Sequence, residues 1–393
     1  MHDPITAMPT TRPAGCPFDP PTELAALRED APLRPMLYPD GHLGWLATGH
    51  DAIRAVLSDP RFSTRPEHQH SPVPRPGLDG PPPVQPGMFI SLDPPEHTRY
   101  RRLLTGKFTV RRMRGLADHA AEITAEHLEA MARQGDSADL VTAFATPIPA
   151  LMICELLGAP YTDREFFLRH TATFNDHTAT ADEQGEAMNA IGGFLHALVL
   201  AKRATPTDDL LSDLATTDLT EEELTSIALL LLGAGLDTTA NMIALGAFAL
   251  LTEPPKAAAL HDDPDGTVEE LLRYLSIVPT LARTALEDVD LDGTLVRAGQ
   301  TVTLSVEAGN RDPARFVAPD TLDPTRRATG HLAFGHGVHQ CLGQQLARVE
   351  LRVALPALFA RFPALRLAVA PDEVEPRENV DILGLRGLPV TWA

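Results

Sequence analysis

The stretch Glu221–Leu251 constrains the fold more than any other part of the chain, because it is almost continuously apolar. As a helix, about 30 residues at 1.5 Å each form a rod of roughly 45 Å, long enough to cross a membrane or a whole domain. Asp237 lies near its middle, where it would cost roughly 2.5–3.5 kcal/mol in a bilayer. Thr238, Thr239 and Asn241 add further polar groups. We therefore expect a helix buried in a large soluble core, which favours a mainly α fold.

The polar interruption of that helix, Ala234-Gly235-Leu236-Asp237-Thr238, has two interpretations. Gly235 weakens the helix, and the Thr238 hydroxyl can donate a hydrogen bond to the carbonyl oxygen of Ala234, four residues earlier. The result is a polar notch in an apolar wall, where an acid and an alcohol can order water and relay protons. The alternative is a structural kink whose polar side chains are satisfied locally.

A single cysteine lies in a glycine-rich loop directly before a predicted helix over Gln344–Phe362. The loop reads Phe334-Gly335-x-Gly337-x-His339-x-Cys341-x-Gly343. The N–H groups and the positive dipole end of the helix favour the thiolate form of Cys341. A thiolate is a soft ligand for a transition metal, and the glycines allow a flat ligand to approach the backbone.

Two other interpretations of this loop stay open. Cys341 could be an inert core residue, which is the usual fate of a free cysteine. His336, His339 and Cys341 could instead form part of a zinc site, although no further Cys or His pair lies nearby to complete four ligands.

The bulk properties exclude several classes of protein. The 393 residues carry 33 basic and 53 acidic side chains, and the net charge of −20 argues against nucleic acid as a partner. Three cysteines (Cys16, Cys154 and Cys341) give no disulfide framework, which suits a reducing cytosol. Residues 1–20 are proline-rich and expected to be extended, without the build of a signal peptide or membrane anchor. We therefore expect a cytoplasmic protein without membrane attachment.

Periodicity predicts further elements. Helical spacing predicts a helix over Ala117–Gln134, and alternation predicts short strands at Val289–Leu291 and Thr301–Ser305. Val380–Leu383 and Leu388–Trp392 predict a closing pair of strands.

Together, the cysteine loop and the interrupted helix resemble the cytochrome P-450 haem-thiolate monooxygenases. The resemblance implies a single large helical domain over residues 1–393, with small β-sheets, that binds haem b. It implies that Cys341 is the axial iron ligand and that Asp237 and Thr238 deliver the protons consumed in oxygen activation. Four further positions would lie against the haem: Ala234, Phe334, Gly335 and Gly343.

The segment from His97 to Arg114 carries seven Lys or Arg residues and no acid. Such a run is often only a solvated face. The resemblance implies instead that His97 and Arg101, one helical turn apart, hold a haem propionate, as do Arg283 and His339. The outward cations would steer an acidic ferredoxin to the protein; they are Arg102, Lys107, Arg111 and Arg112.

Glu270 and Arg273 match the family's Glu-x-x-Arg element, which supports the cysteine loop. Thr267 and Glu270 also have the spacing of a capping box, a purely structural device. In the family a third basic residue completes the network, but here Thr321 stands at its position. We expect Arg326 to replace it.

The substrate is constrained less than the cofactor. The proline-rich segment Ser71–Gly87 predicts a large lid, and few aromatic residues occur in the expected pocket segments. These features favour a bulky apolar substrate such as a macrolide or similar polyketide. The resemblance implies that a monomeric enzyme oxidises it with electrons from ferredoxin and ferredoxin reductase. Two rivals are a non-catalytic haem sensor or carrier, and a peroxide-driven enzyme of the same fold.

Overall fold

The computed structural model describes residues 3–13, 18–74, 83–175, 179–377 and 381–393. Helices dominate this part of the chain. Fifteen α-helices are described: α1 (Glu23–Asp30), α2 (His50–Ser58), α3 (Glu96–Thr105), α4 (Val110–Gly115), α5 (Ala117–Gln134), α6 (Pro147–Leu157), α7 (Arg164–Asn175), α8 (Ala181–Ala204), α9 (Leu210–Ala215), α10 (Glu221–Thr252), α11 (Pro254–Ala257), α12 (Ala259–Asp262), α13 (Pro264–Leu275), α14 (Val306–Asn310) and α15 (Gln344–Arg361).

The described strands form three small sheets. Their ranges are β1 (Leu33–Leu37), β2 (Leu43–Ala47), β3 (Phe62–Ser63), β4 (Ser137–Asp139), β5 (Thr280–Ala285), β6 (Val289–Leu291), β7 (Thr294–Val296), β8 (Thr301–Ser305), β9 (Arg366–Leu367) and β10 (Pro389–Thr391). Five strands pair in the order β1-β2-β8-β5-β3, three in the order β4-β10-β9, and β6 with β7 forms a hairpin. The mainly helical fold with small sheets is therefore confirmed.

Helix α10 lies at the centre of the core. Thr220 and Glu223 form a capping box at its start: the Thr220 Oγ1 accepts from the Glu223 amide at 3.1 Å, and the Glu223 carboxylate accepts from the Thr220 amide at 2.7 Å. The helix packs against α6, α8 and α15. It is long and apolar enough to span a membrane, but most of its side chains are buried against the rest of the protein.

Two residues in the middle of α10 break this burial. Gly233 and Ala234 are exposed, although most of the surrounding turns are buried. On another face of the helix, a Cβ added to Gly235 would lie only 2.7 Å from Cδ1 of Ile153. The helix therefore packs tightly on α6 and at the same time opens a short stretch of its wall just before Asp237 and Thr238 of the polar notch.

The central sheet fixes the place of one predicted site residue. In β5, Arg283 is paired in register with Val302 of β8, and β8 runs parallel to β2. Residues 280–284 of β5 all pair with β8, so Arg283 extends from an interior position of a ladder rather than from a free loop.

Two predicted local structures are wrong. Helix α13 begins earlier than the capping-box interpretation requires, because Asp263 caps it by accepting from the Gly266 amide at 2.9 Å. Thr267 lies inside the helix and donates its hydroxyl to the Asp263 carbonyl oxygen. Near the C-terminus, residues 381–383 contain no strand, and Val380 lies outside the described residues; β10 pairs with β4 and β9 instead.

Candidate active site

The glycine-rich loop folds back on itself so that its cysteine is fixed by the backbone. The Cys341 amide donates to the Phe334 carbonyl oxygen at 2.9 Å, and Gly335 and Gly337 adopt positive φ values of 66° and 74°. A Cβ on Gly337 would lie 2.2 Å from the carbonyl oxygen of Leu57. Glycine is therefore required at position 337 by both conformation and space.

Two opposing effects act on the Cys341 thiol. Burial raises its pKa above the ordinary value, whereas the amides of Gly343 and Gln344 and the charges of Arg101 and Arg348 lower it. The expected helix N-terminus is thus present, but in the chain alone burial outweighs it. A bound cation on the sulfur would supply the missing compensation.

The four residues predicted to bind the propionates converge from three elements. His97 and Arg101 lie on α3, Arg283 on β5 and His339 in the cysteine loop. The ring centroids of His97 and His339 are 4.1 Å apart, and Arg101 donates to the Gln340 carbonyl oxygen. We call these four residues the cationic cluster.

The cationic cluster has too little negative charge around it. Burial lowers the pKa of Arg283 to about 10, and burial together with Arg283, His97 and Arg101 lowers the pKa of His339 to about 3. Burial, followed by the charge of Arg101, also lowers the pKa of His97. Both ring nitrogens of His97 are buried without a hydrogen-bond partner, and none of the four side chains forms an ion pair within the described residues. Buried polar groups of this kind need a partner, and an anionic one fits.

The polar notch of α10 has well-defined hydrogen bonds. The Thr238 hydroxyl donates to the Ala234 carbonyl oxygen at 2.7 Å, as both interpretations of the sequence predict. Asp237 accepts at Oδ1 from Asn241 at 2.9 Å and from Arg377 at 2.7 Å. The notch follows directly on the exposed stretch at Gly233 and Ala234, which favours a surface for ligands over a purely structural kink.

The Glu-x-x-Arg element is a buried network. Arg273 and Glu270 are fully buried and joined by two hydrogen bonds of 2.8 Å. Arg273 also donates to the carbonyl oxygen of Asn310, whose side chain accepts from the Leu332 amide at 2.6 Å, just before the cysteine loop. The predicted replacement is confirmed: Arg326 Nε donates to Glu270 Oε1 at 3.1 Å.

Sequence reasoning missed a second support of the loop. Glu269 accepts from Arg348 of α15 at 2.5 and 2.9 Å and pairs with His331 at 3.1 Å. The Arg348 guanidinium lies 4.5 Å from the centre of the Phe334 ring, within the range of a cation–π contact. Glu269 therefore ties α13, α15 and the cysteine loop together.

Comparison with known proteins decides the family. A sequence model of the family "Cytochrome P450" matches residues 162–383. Cytochrome P450 105C1 of a Streptomyces species is 51% identical over 383 residues, which covers 95% of this chain and 96% of that protein. The chain belongs to the cytochrome P450 family. Pentalenic acid synthase of Streptomyces avermitilis is 43% identical, with coverage of 96% and 95%. The crystal structure of CYP105P1 in complex with filipin I superposes with a TM-score of 0.89 at 40% identity, covering 99% of each chain.

As a P450, the protein is a monooxygenase that binds iron protoporphyrin IX through a cysteine thiolate. Its residues fit that group. The cationic cluster has no anionic partner among the described residues, and two propionates would supply one; a Cβ at Gly335 or Gly343 would meet no atom within 4 Å, so this wall is open. The zinc interpretation lacks support, because the described residues contain no group of three His, Cys, Asp or Glu able to hold a metal ion.

Some of the cations predicted to attract a ferredoxin are already paired with an acidic residue of the protein itself. Arg102 is exposed, but Lys107 and Arg112 both pair with Asp213 of α9, at 3.1 and 2.6 Å. The side chain of Arg111 lies outside the described residues. Two of the four predicted steering cations therefore share one carboxylate of the protein itself.

Proposed function

We propose that this P450 inserts one oxygen atom of O2 into a bulky apolar natural product, with Asp237 and Thr238 as its proton-delivery residues. The overall reaction is R–H + O2 + 2 e⁻ + 2 H⁺ → R–OH + H2O, so two protons must enter a dry site in every turnover. The observation that carries the proposal is the acid–alcohol pair beside an exposed stretch of an otherwise buried helix.

The protein's own residues would divide the work. Cys341 would ligate the iron, and the cationic cluster would bind the propionates and fix the orientation of the ring. Haem, when bound, supplies the redox and oxygen chemistry. Thr238 Oγ1 would release its bond to Ala234 and hold a proton at the reacting oxygen, while Asp237 would return protons from water to that hydroxyl.

Apolar residues of the predicted lid and the C-terminal segment, together with the relatives, support the proposed substrate class. Val84, Ile382 and Leu383 are partly buried and pack on the apolar core around α10. One relative is named pentalenic acid synthase, and another was crystallised with filipin I. We infer an apolar natural product, and among these a macrolide or similar polyketide, oxidised by hydroxylation or epoxidation in antibiotic biosynthesis.

An optical titration tests this substrate class. The purified holoenzyme is titrated with polyketides, terpenoids and simple aromatics, and the Soret band is followed. A shift to the high-spin form with the polyketides supports the proposal, because a bound substrate displaces water from the iron. A shift with terpenoids or aromatics alone contradicts it.

We further propose a monomeric, cytoplasmic enzyme in which residues 1–393 form one domain, reduced by a ferredoxin and its reductase. The exposed cation Arg102 and the partly paired Lys107 and Arg112 support an acidic partner at this face. Product formation with hydrogen peroxide alone, at the rate obtained with ferredoxin, would favour the peroxide-driven rival instead.

A further inference from the structure

Asp237 is bound by a residue far away in the chain. Arg377 lies 140 positions after it, and its Nη1 donates to Asp237 Oδ1 at 2.7 Å. Both side chains are largely removed from solvent, with 11% of Arg377 and 20% of Asp237 exposed. A charge-assisted hydrogen bond in such surroundings is short and strong compared with an exposed ion pair.

Arg377 is held in position by the segment that carries it. We call residues 375–377 and 381–386 the C-terminal loop. Within it, the Arg377 amide donates to the Gly384 carbonyl oxygen at 2.9 Å, and Pro376 bridges Leu385. The Leu383 amide donates to the carbonyl oxygen of Ile277, which anchors the loop to the rest of the protein at 2.7 Å.

The C-terminal loop also packs directly on the polar notch. A Cβ added to Gly384 would lie 2.0 Å from Oδ1 of Asn241, the second residue that binds the Asp237 carboxylate. The backbone at position 384 thus presses against the side chain that accompanies Arg377. The carboxylate is therefore held by Asn241 from its own helix and by Arg377 from the loop.

This arrangement leaves the two carboxylate oxygens in different environments. Oδ1 accepts both side-chain hydrogen bonds, whereas Oδ2 accepts none from the residues that the structure describes. One oxygen is thus fixed to the protein, and the other is available to exchange a proton with water or with Thr238.

We propose that Arg377 is a positioning residue for proton delivery: it fixes Asp237 Oδ1 so that Oδ2 can pass protons from water towards Thr238. The proposal rests on the proposed function of Asp237. Arg377 itself transfers no proton and touches no reacting atom. Its removal leaves the acid in place but lets the carboxylate rotate, and small misplacements of a catalytic group are costly.

The experiment uses four variants of the holoenzyme: Arg377→Gln, Arg377→Lys, Asp237→Asn and the double change Arg377→Gln with Asp237→Asn. The control is Arg386→Gln, which removes a loop arginine that lies 3.9 Å from Glu375, whereas the described side-chain partners of the Asp237 carboxylate are Asn241 and Arg377. The assay is the oxidation of guaiacol by hydrogen peroxide. It reports on proton delivery, because cleavage of the O–O bond of the peroxide requires a proton to move from one oxygen to the other. Two electrons from two guaiacol molecules balance the reduction of peroxide to water. Where peroxide turnover of the parent is below detection, the same ratios are measured on ferredoxin-driven O2 consumption.

We expect Asp237→Asn to lower the rate about 100-fold and Arg377→Gln roughly ten-fold, since the latter keeps a misplaced acid. Arg377→Gln should also raise the D2O effect on the rate. Arg377→Lys should restore most of the lost rate, and the double variant should be no slower than Asp237→Asn. An unchanged Soret spectrum and melting temperature exclude a fold defect.

The possible failures are distinct. Full activity of Asp237→Asn contradicts the proposed function of the acid itself. If Asp237→Asn is slower than the parent but Arg377→Gln turns over as fast as Arg386→Gln, only the role of Arg377 is overturned. Additive losses in the double variant also overturn it, because Arg377 would then act through another group.

Discussion

At the scale of single residues, the site is defined by charges whose partners are missing or unusually close. The cationic cluster holds two guanidinium groups and two imidazoles, of which Arg283 and His97 are buried, without an ion-pair partner among the described residues. By contrast, Glu269, behind the cysteine loop, has three basic neighbours. The unsatisfied cluster is therefore predicted to bind an anion, whereas the satisfied Glu269 connects structural elements.

Glu269 makes the stability of the protein depend on acid. Burial alone would raise its pKa, but hydrogen bonds from His331 and Arg348 outweigh burial and lower the pKa from 4.5 to about 2. Because the folded protein favours the carboxylate, the stabilisation is complete above pH 4.5 and is lost as the pH falls towards 2. Its size is roughly 3 kcal/mol, at 1.36 kcal/mol for each unit of pKa.

Urea unfolding of Glu269→Gln and the parent, between neutral pH and pH 3, measures this effect. We expect the variant to have the lower unfolding midpoint at neutral pH and the gap to narrow below pH 4.5. Glu375→Gln, at an exposed carboxylate, is the control and should follow the parent. A gap that stays constant with pH would contradict the assignment.

At the scale of elements, α13 and the segment after α14 support the cysteine loop through one buried carboxylate. Glu270 accepts from Arg273 on its own helix and from Arg326 outside it, and Arg273 continues the network to Asn310. The loop is therefore fixed by helices that are distant from it in the sequence.

Arg326→Gln tests this network. The buried Glu270 carboxylate would lose one charged donor, and hydrogen bonds to charged groups contribute roughly 1.5–3 kcal/mol. We expect a lower melting temperature and weaker haem retention. Arg327→Gln, at the exposed neighbouring position, is the control; equal effects of the two changes would show that Arg326 does not support the loop.

The sequence allowed the elements to be predicted where the signal was local. The helices over Ala117–Gln134 and from Glu221 follow from periodicity, and Arg326 could be predicted because a basic residue was needed close to Thr321. The strand predicted over Val380–Leu383 is absent at residues 381–383, the part that the structure describes, since alternation alone does not supply a pairing partner. Arg377 gave no signal, because its contact with Asp237 exists only after the C-terminal loop has packed on α10.

At the scale of the whole molecule, an acidic protein presents one basic face. The net charge is −20, while Arg102, Lys107 and Arg112 cluster on α3, α4 and the short connection between them. Asp213 on α9 pairs with both Lys107 and Arg112 and offsets one of these positive charges. The long-range attraction of an acidic ferredoxin is therefore weaker than the sequence alone predicts.

Asp213→Asn should free Lys107 and Arg112 and accelerate association with an acidic ferredoxin several-fold at low salt, an advantage that salt screens. Stopped-flow reduction kinetics at several ionic strengths measure it. Asp262→Asn makes the same change of charge on α12 and is the control. Equal acceleration by both variants would mean that net charge, rather than this face, controls the encounter.

The absorption spectrum of the reduced, carbon monoxide-bound protein shows whether Cys341 ligates the haem iron. The parent and Cys154→Ala should both show the red-shifted Soret band of thiolate-ligated haem, since Cys154 is buried in the core on α6. Cys341→Ala, loaded with haem, should lose that band. Retention of the red-shifted band in Cys341→Ala, or its absence from the parent, would contradict the account.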